Sequence, residues 1–290
     1  MHEFVAEHLT RLEQDANIDT RAKVFRGLRE LGLDDFGEIL MSMPMPEYPK
    51  LAALLPRMAS KRVQESWTGS SGLTLLMQTL AFVRSLSCNY ARLVGRSLSD
   101  ASILDYGCGY GRIARLMYYF ADEDCVFGCD PWDESIDICK QDGLGDNFLR
   151  SAYLPESLPL GARKFDLIYA FSVFTHLSEK SARISLSALR KYLKDDGLLV
   201  ITIRPVEYWG LMAAKIGAAE AAEFRRVHGD SGFAFRPHVR LIQDGESNFG
   251  DTSLTFDWLA ANIREWEMVA IDRSLTDRFQ IYVFLKPRAN

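Results

Sequence analysis

The sequence lacks three features that would each point to a class of protein. No apolar run reaches the length of a membrane span. The N-terminal stretch MHEFVAEHLTRLEQD is acidic and amphipathic, without the apolar centre of a secretion signal. Positive charge is not in excess, since the formal net charge is -5, which argues against a broad surface for nucleic acid. We therefore expect a cytoplasmic chain with no membrane span and no nucleic-acid partner.

Cysteine is scarce as well. The five cysteines are odd in number, and none of them stands in a CxxC pair. This spacing gives neither a disulfide framework nor a zinc motif. We expect reduced, buried thiols and no metal site.

Apolar residues, by contrast, make up 48% of the 290 residues, which is enough for a substantial core. In residues 1–95 they recur at intervals of three and four, so we predict an N-terminal helical cap there. Residues 96–290 alternate between strand and helix patterns, which is typical of an α/β domain with a mainly parallel sheet. Residues 205–250 break this rhythm and show no sustained strand pattern. We predict that they form an insertion facing the substrate.

Seven stretches of the second region have the composition of strands. They are residues 102–106, 125–129, 147–153, 165–171, 198–204, 266–273 and 279–287. The last two follow each other closely enough to be antiparallel neighbours.

The most informative stretch is ASILDYGCGYGRIARLM at residues 101–117. It predicts a strand, a turn with glycine at 107, 109 and 111, and a helix. Glycines let a ligand approach the main chain closely. A dinucleotide-binding motif would need glycine where Arg112 stands, so a nicotinamide oxidoreductase is disfavoured. A tight turn without a ligand remains an alternative.

An acidic residue ends the second predicted strand. Asp130 follows Gly111 by 19 positions, where a carboxylate accepts hydrogen bonds from both hydroxyls of a ribose. The alternative is an exposed aspartate or a helix cap. Trp132 follows two residues later and either covers an adenine ring or packs in the core.

The motif DYGCGYG and the stretch FDLIYAFSVFTHL resemble the class I S-adenosylmethionine-dependent methyltransferases. The resemblance covers about two thirds of the chain. It implies a Rossmann-like sheet of order 3-2-1-4-5-7-6 with the last strand antiparallel, and S-adenosylmethionine as cofactor. It also implies that one set of residues surrounds the methionine part, the sulfonium and the adenine: Asp105, Gly107, Gly109, Gly111, Ala152, Tyr153, Phe171 and Ser172. Backbone atoms of Ala152 and Tyr153 are included because RSAYLPESLP lacks the early carboxylate of the family.

The stretch WTGSSG precedes a long predicted helix and is a candidate lid. Trp67 would shield the cofactor from water, and Ser71 with the following amides would receive the carboxylate of the cofactor. Turn formation alone also explains these residues.

Methyl transfer to a hydroxyl benefits from a general base. His176 follows the fourth strand and is our first candidate, although it is equally able to orient that turn. His228, His238 and Asp251 in and beside the insertion are the alternatives. The spacing of these histidines matches no metal-binding pattern.

These patterns together predict a methyltransferase for a small or mid-sized acceptor, either a small molecule or a glycan. We favour a hydroxyl group of a sugar or a secondary metabolite. An N-methyltransferase of the same fold and a non-catalytic partner subunit that binds S-adenosylmethionine are the alternatives.

Overall fold

The computed structural model describes residues 2–238, 242–243 and 246–288. Its packing divides the chain into two compact units. The first comprises Met1–Ala91 and Arg96–Arg150, and the second comprises Arg92–Gly95 and Ser151–Asn290. The boundary at residue 95 stays a prediction.

The regular structure described before residue 95 is helical. Within the described residues the helices are α1 (Glu3–Gln14), α2 (Arg21–Leu28), α3 (Leu33–Ser42), α4 (Pro49–Leu54), α5 (Lys61–Thr68) and α6 (Gly72–Val94). In α1 the buried side chains Val5, Leu9 and Leu12 recur at helical spacing, as the pattern predicts. None of the described helices is long and apolar enough to cross a membrane.

Strands and helices then alternate in the first unit. The elements are β1 (Ile103–Tyr106), α7 (Arg112–Met117), β2 (Val126–Asp130), α8 (Asp133–Gln141) and β3 (Phe148–Arg150). β1 pairs with β2 and β2 with β3, in both cases in parallel. The carboxyl ends of these strands therefore lie at one edge of the sheet, and the glycine turn and Asp130 both lie there.

The second unit continues with β4 (Phe165–Ala170), α9 (Glu179–Arg190) and β5 (Leu193–Ile203). β4 and β5 are parallel neighbours. β5 begins five positions before the predicted start at residue 198 because the predicted turn at residues 195–197 lies within the strand. Phe165 pairs with Leu193 and Leu167 with Leu198, so a shift of register absorbs the extra residues.

Residues 205–250 contain more regular structure than we predict from the sequence. The helices and strands that start within this segment are α10 (Tyr208–Ile216), α11 (Ala218–Ser231), β6 (Phe233–Pro237), β7 (Ile242–Gln243), β8 (Glu246–Ser247) and β9 (Gly250–Leu254). The expectation that the segment has no sustained strand is wrong for β6, which pairs antiparallel with β9 as a separate ribbon. β9 itself lies beyond the segment apart from Gly250. Residues 239–241 and 244–245 of the predicted insertion lie outside the described part of the chain.

The chain ends with α12 (Phe256–Asn262), β10 (Trp266–Arg273) and β11 (Ile281–Pro287). Among the described residues the main sheet has seven strands in the order β10-β11-β5-β4-β1-β2-β3. β11 is antiparallel to β5 and β10. Numbered along the chain, this is the order 3-2-1-4-5-7-6 with an antiparallel last strand, and the predicted fold is confirmed.

The five cysteines are all free thiols in the described chain. Cys108, Cys129 and Cys139 are buried, as predicted. Burial raises the pKa of Cys108 and of Cys129, which makes these thiols poorly reactive. The prediction of burial is wrong for Cys88, which is exposed, and for Cys125, which is half-buried.

Candidate functional site

The glycine turn joins β1 to α7 in the first unit. Gly107, Gly109 and Gly111 have φ values of 75°, 54° and 73°, in the left-handed region that favours glycine. A Cβ atom at Gly111 would lie 2.5 Å from Leu144 Cδ1. Asp105, two residues before the turn, is buried within β1. The turn is therefore closely packed at Gly111.

Asp130 ties the end of β2 to this turn. Its carboxylate accepts one hydrogen bond from the Gly109 N–H and one from the Trp132 N–H, each at 2.9 Å. The residue is only 9% exposed, and burial raises the pKa of Asp130 although both N–H donors act in the opposite direction. Each carboxylate oxygen keeps a further lone pair for a ligand hydroxyl.

Aromatic rings surround the turn. The Trp67 ring, at the end of α5, lies over Gly109, where a Cβ atom would be 3.7 Å from two ring carbons. It also meets the rings of Tyr110 and Trp132 edge to face, with centroids at 5.8 and 5.7 Å. Ser71 does not share this arrangement: its hydroxyl donates to the Glu65 carboxylate at 2.9 Å. Of the two predicted lid residues, Trp67 is the one that lies over the turn.

A second group of polar residues lies in the second unit. We call it the Asp251 cluster, and it contains His176, Arg204, Tyr208, His238 and Asp251. The turn after β4 carries His176, and Arg204 directly follows β5. The predicted candidates His176, His238 and Asp251 are thus brought together, although they are far apart in sequence.

Asp251 is the centre of this cluster. One carboxylate oxygen accepts hydrogen bonds from Arg204 Nη1 at 3.1 Å and from the Tyr208 hydroxyl at 2.7 Å. The other accepts from His238 Nε2 at 2.9 Å. Burial alone would raise the pKa of Asp251, but hydrogen bonds from Tyr208 and His238 hold it below its usual value.

Backbone hydrogen bonds fix β9, and with it Asp251, to the carboxyl ends of β4 and β5. The Gly250 N–H donates to the His176 carbonyl at 2.8 Å, and the Thr252 N–H donates to the Thr175 carbonyl at 2.9 Å. The Leu254 N–H donates to the Arg204 carbonyl at 3.2 Å. The cluster therefore lies at the sheet edge where α/β proteins bind ligands.

His176 has both ring nitrogens engaged. Nδ1 donates to the Gly250 carbonyl at 2.6 Å, and Nε2 accepts from Arg204 Nη2 at 3.0 Å. Its ring also stacks on Phe249, with centroids 5.0 Å apart. Burial and the positive charge of Arg204 lower the pKa of His176 well below its usual value, so the imidazole is neutral.

His238 differs from His176 in that hydrogen bonds from the described residues engage only one of its ring nitrogens. Nε2 donates its proton to the Asp251 carboxylate, so in the tautomer that this hydrogen bond selects Nδ1 is the acceptor nitrogen. The described residues provide Nδ1 with no hydrogen-bond partner, and the side chain is 31% exposed. This arrangement can accept a proton from a molecule that reaches it.

His228 lies apart from these contacts. It is buried in α11, and its Nδ1 is 2.8 Å from the Ser253 hydroxyl, which also accepts from Trp209 Nε1 at 2.7 Å. Burial lowers the pKa of His228. Within the described residues no three or more His, Cys, Asp or Glu side chains are grouped to hold a metal ion.

The turn that begins at Phe171 contains strained backbone. Ser172 has a φ of 59°, which is uncommon for a residue other than glycine. Its N–H donates to the Thr202 hydroxyl at 2.7 Å, and its own hydroxyl accepts from Gln280 Nε2 at 3.1 Å. Ala152 and Tyr153 lie in the irregular chain that follows β3, the first exposed and the second half-buried.

Three residues of these arrangements have no counterpart in our predictions. Arg204 and Tyr208 come just after the fifth strand, with three residues between them. Because ligands bind at the carboxyl ends of parallel strands, the sequence could have predicted that these two residues lie near a ligand. Gln280 is the second residue of the last predicted strand, and nothing in the local sequence distinguishes it from a surface glutamine.

Comparisons with known proteins agree with this fold. A family model described as a methyltransferase domain matches residues 78–241. No curated protein sequence matches the chain. An S-adenosylmethionine-dependent methyltransferase of known structure from Clostridium acetobutylicum aligns with 79% of this chain and 97% of its own, at 12% identity and a TM-score of 0.51.

Two further solved structures are similar at lower scores. Magnesium protoporphyrin IX methyltransferase from Synechocystis, with bound SAH, covers 78% of this chain and 92% of its own, at 17% identity and a TM-score of 0.48. The glycopeptide N-methyltransferase MtfA complexed with sinefungin covers 70% and 93%, at 10% identity and a TM-score of 0.48. At these identities the likeness concerns the fold alone, and these last two scores are too low to support an argument about the acceptor.

Proposed function

We propose that this chain, which belongs to the methyltransferase domain family and uses S-adenosylmethionine as its methyl donor, transfers the methyl group to a hydroxyl of a small or mid-sized acceptor. A sugar or a secondary metabolite is the acceptor class we favour. The observation that supports a hydroxyl acceptor is the imidazole of His238, which Asp251 orients and whose Nδ1 the described residues leave without a hydrogen-bond partner.

The residues of the first unit have the chemistry that this cofactor requires. Carboxylates at Asp105 and Asp130 suit a cationic ligand with two ribose hydroxyls, and the three glycines admit it to the main chain. Trp67 and Trp132 offer aromatic faces. Bound S-adenosylmethionine supplies an electrophilic methyl group on a positively charged sulfur.

The resemblance to the family also assigns cofactor-binding roles to residues of the second unit. In this proposal Phe171 and Ser172 lie beside the sulfonium and the methyl group, and the backbone of Ala152 and Tyr153 meets the adenine. Ser71 stays a candidate for the carboxylate of the cofactor. These assignments come from the resemblance to the family.

We propose that His238 removes the proton of the acceptor hydroxyl. Asp251 holds the ring with its proton on Nε2, and its carboxylate stabilises the imidazolium that forms when Nδ1 takes up a proton. His176 as the base stays a prediction that we disfavour, because its Nε2 already accepts a hydrogen bond from Arg204, which a hydroxyl donating a proton there would first have to displace. In our proposal His176 instead holds the turn after β4 against β9.

The test is transfer of labelled methyl from S-adenosylmethionine to a panel of sugars, phenols and amines. With a hydroxyl compound from the panel, His238→Asn should lower turnover by about 10²- to 10⁴-fold, which is the usual size of general-base catalysis. Calorimetry should show unchanged affinity for S-adenosylmethionine. His2→Asn, at an exposed position, is the matched control.

Three results would overturn this proposal. Transfer to amines alone would make the protein an N-methyltransferase. Binding without transfer to any acceptor, in whole-cell extracts as well, would indicate the partner subunit. Equal turnover of His238→Asn and the wild type would remove His238 as the base. A cytoplasmic location is also part of the proposal and is checked by fractionation.

A further inference from the structure

The side-chain amide of Gln280 is buried, and its oxygen has no hydrogen-bond partner among the described residues. The residue directly precedes β11 and is 7% exposed. Its Nε2 donates to the Ser172 hydroxyl at 3.1 Å. Its Oε1 is buried and finds no hydrogen-bond partner among the described residues. Because buried carbonyl oxygens are nearly always hydrogen-bonded, this one calls for an explanation.

The partner of Gln280 is held in a strained conformation. Ser172 keeps its φ of 59° through the hydrogen bond from its N–H to Thr202, and its hydroxyl lies 3.2 Å from that of Thr175. Such strain persists where the surrounding structure enforces it, and it concentrates at functional sites. This turn fixes the position of the Ser172 hydroxyl. Because that hydroxyl accepts the hydrogen bond from Gln280 Nε2, it also fixes the orientation of the amide.

The pair lies at the ligand edge of the second unit. Ile281 pairs with Ile203, so Gln280 is at the carboxyl end of β5. Ser172 is two residues beyond the end of β4. Ligands of open α/β sheets bind at the carboxyl ends of the parallel strands, so Gln280 and Ser172 lie at the edge where an acceptor would bind.

An aromatic residue precedes each member of the pair. Phe171 and Phe279 are both half-buried. The Phe279 ring meets Tyr208 edge to face with centroids 6.1 Å apart, and the Phe171 ring is 6.4 Å from that of Tyr282. Aromatic residues and a hydrogen-bond acceptor at one sheet edge suit a flat apolar ligand that carries a hydroxyl.

We propose that Gln280 Oε1 accepts a hydrogen bond from a phenolic hydroxyl of an aromatic acceptor, distinct from the hydroxyl that loses its proton to His238, and that the aromatic ring is held against Phe171 and Phe279. The inference rests on the proposed function because it narrows the acceptor class of the same site. Gln280 is then a residue that selects the acceptor, and Ser172 positions its amide.

The test compares para-fluorophenol, whose hydroxyl can donate a hydrogen bond, with para-fluoroanisole, in which a methyl group replaces the hydroxyl proton. Their binding to the full-length protein saturated with SAH is measured by fluorine NMR. The wild type should prefer the phenol about tenfold, which corresponds to one hydrogen bond of about 1.4 kcal/mol. Gln280→Leu should lose the preference, and Gln280→Glu, which keeps an acceptor oxygen at similar volume, should retain it.

A wild-type protein that does not distinguish the probes would overturn the inference. So would an undiminished preference in Gln280→Leu, or a loss in Gln280→Glu equal to that in Gln280→Leu. Unchanged SAH affinity in both variants, and in the exposed control Glu267→Gln, shows that the fold is intact. The measurement involves no turnover, so its outcome is independent of whether His238 acts as the base.

Discussion

The carboxylate of Asp130 accepts a hydrogen bond from the N–H of Gly109, with Oδ2 and the nitrogen 2.9 Å apart. The acid that ends β2 therefore also shapes the turn that follows β1. A ligand that bonds to this carboxylate would be bound by the side chain and the turn together.

Asp130→Ala should weaken S-adenosylmethionine binding by more than tenfold. A hydrogen bond to a charged group is worth about 1.5 to 3 kcal/mol, and the variant also frees the turn. Calorimetry measures the affinity, and Asp137→Asn on the exposed face of α8 is the control. Unchanged affinity of Asp130→Ala would remove this residue from the site.

Trp67→Ala should lower the same affinity by about three- to tenfold, as expected for the loss of an aromatic contact of about 0.5 to 1.5 kcal/mol. Trp67→Phe should keep most of it, because a ring still covers Gly109. Calorimetry again provides the measurement, with Phe4→Ala, at an exposed position of α1, as control. If Trp67→Ala binds as tightly as the wild type, the WTGSSG stretch is not a lid.

Gly111→Ala should destabilise the fold more than Gly145→Ala. Both glycines have positive φ values, 73° and 88°, and each substitution costs about 1 to 2 kcal/mol for that reason. Only at Gly111 would the new Cβ atom also meet Leu144, which adds about 1 to 3 kcal/mol of overpacking. Urea denaturation compares the two variants, and equal losses would contradict close packing behind the turn.

The stability of the protein should fall as the pH drops below about 6.5. Burial and Arg204 lower the pKa of His176 in the folded chain, and Asp251 and His238 are the other ionisable groups near it. The folded state then binds fewer protons than the unfolded state. The free energy of unfolding should decrease by about 1.4 kcal/mol per pH unit for this histidine alone.

The difference in slope between the wild type and His176→Gln isolates this contribution. Denaturation in urea is measured between about pH 7 and pH 5, across the titration of an unfolded histidine. The buried His228, whose pKa is also lowered, contributes equally to both proteins. His2→Gln serves as the control, and identical slopes in all three proteins would show that His176 is not held neutral.

Local patterns in the sequence were sufficient to predict the main sheet and the glycine turn. The strands are short apolar runs, and the glycines at 107, 109 and 111 have the left-handed φ values that their spacing indicates. The end of β2 at Asp130 was also predictable, because an acid followed by proline closes the run.

The Asp251 cluster was only partly predictable. β9 reads GDTSL, without alternation of apolar residues, yet all five of its residues are buried. Tertiary hydrogen bonds to the turns after β4 and β5 therefore determine this strand, and local propensity does not. The pairing of His238 with Asp251 depends on the register of β6 and β9, which no spacing in the sequence reveals.

His238 directly follows β6, and Asp251 is part of β9, so both are carried by a ribbon that lies outside the main sheet. Natural selection can therefore exchange the proposed base and its partner without altering any strand of that sheet. Diversification of the reaction among descendants of this protein is expected to concentrate in the ribbon.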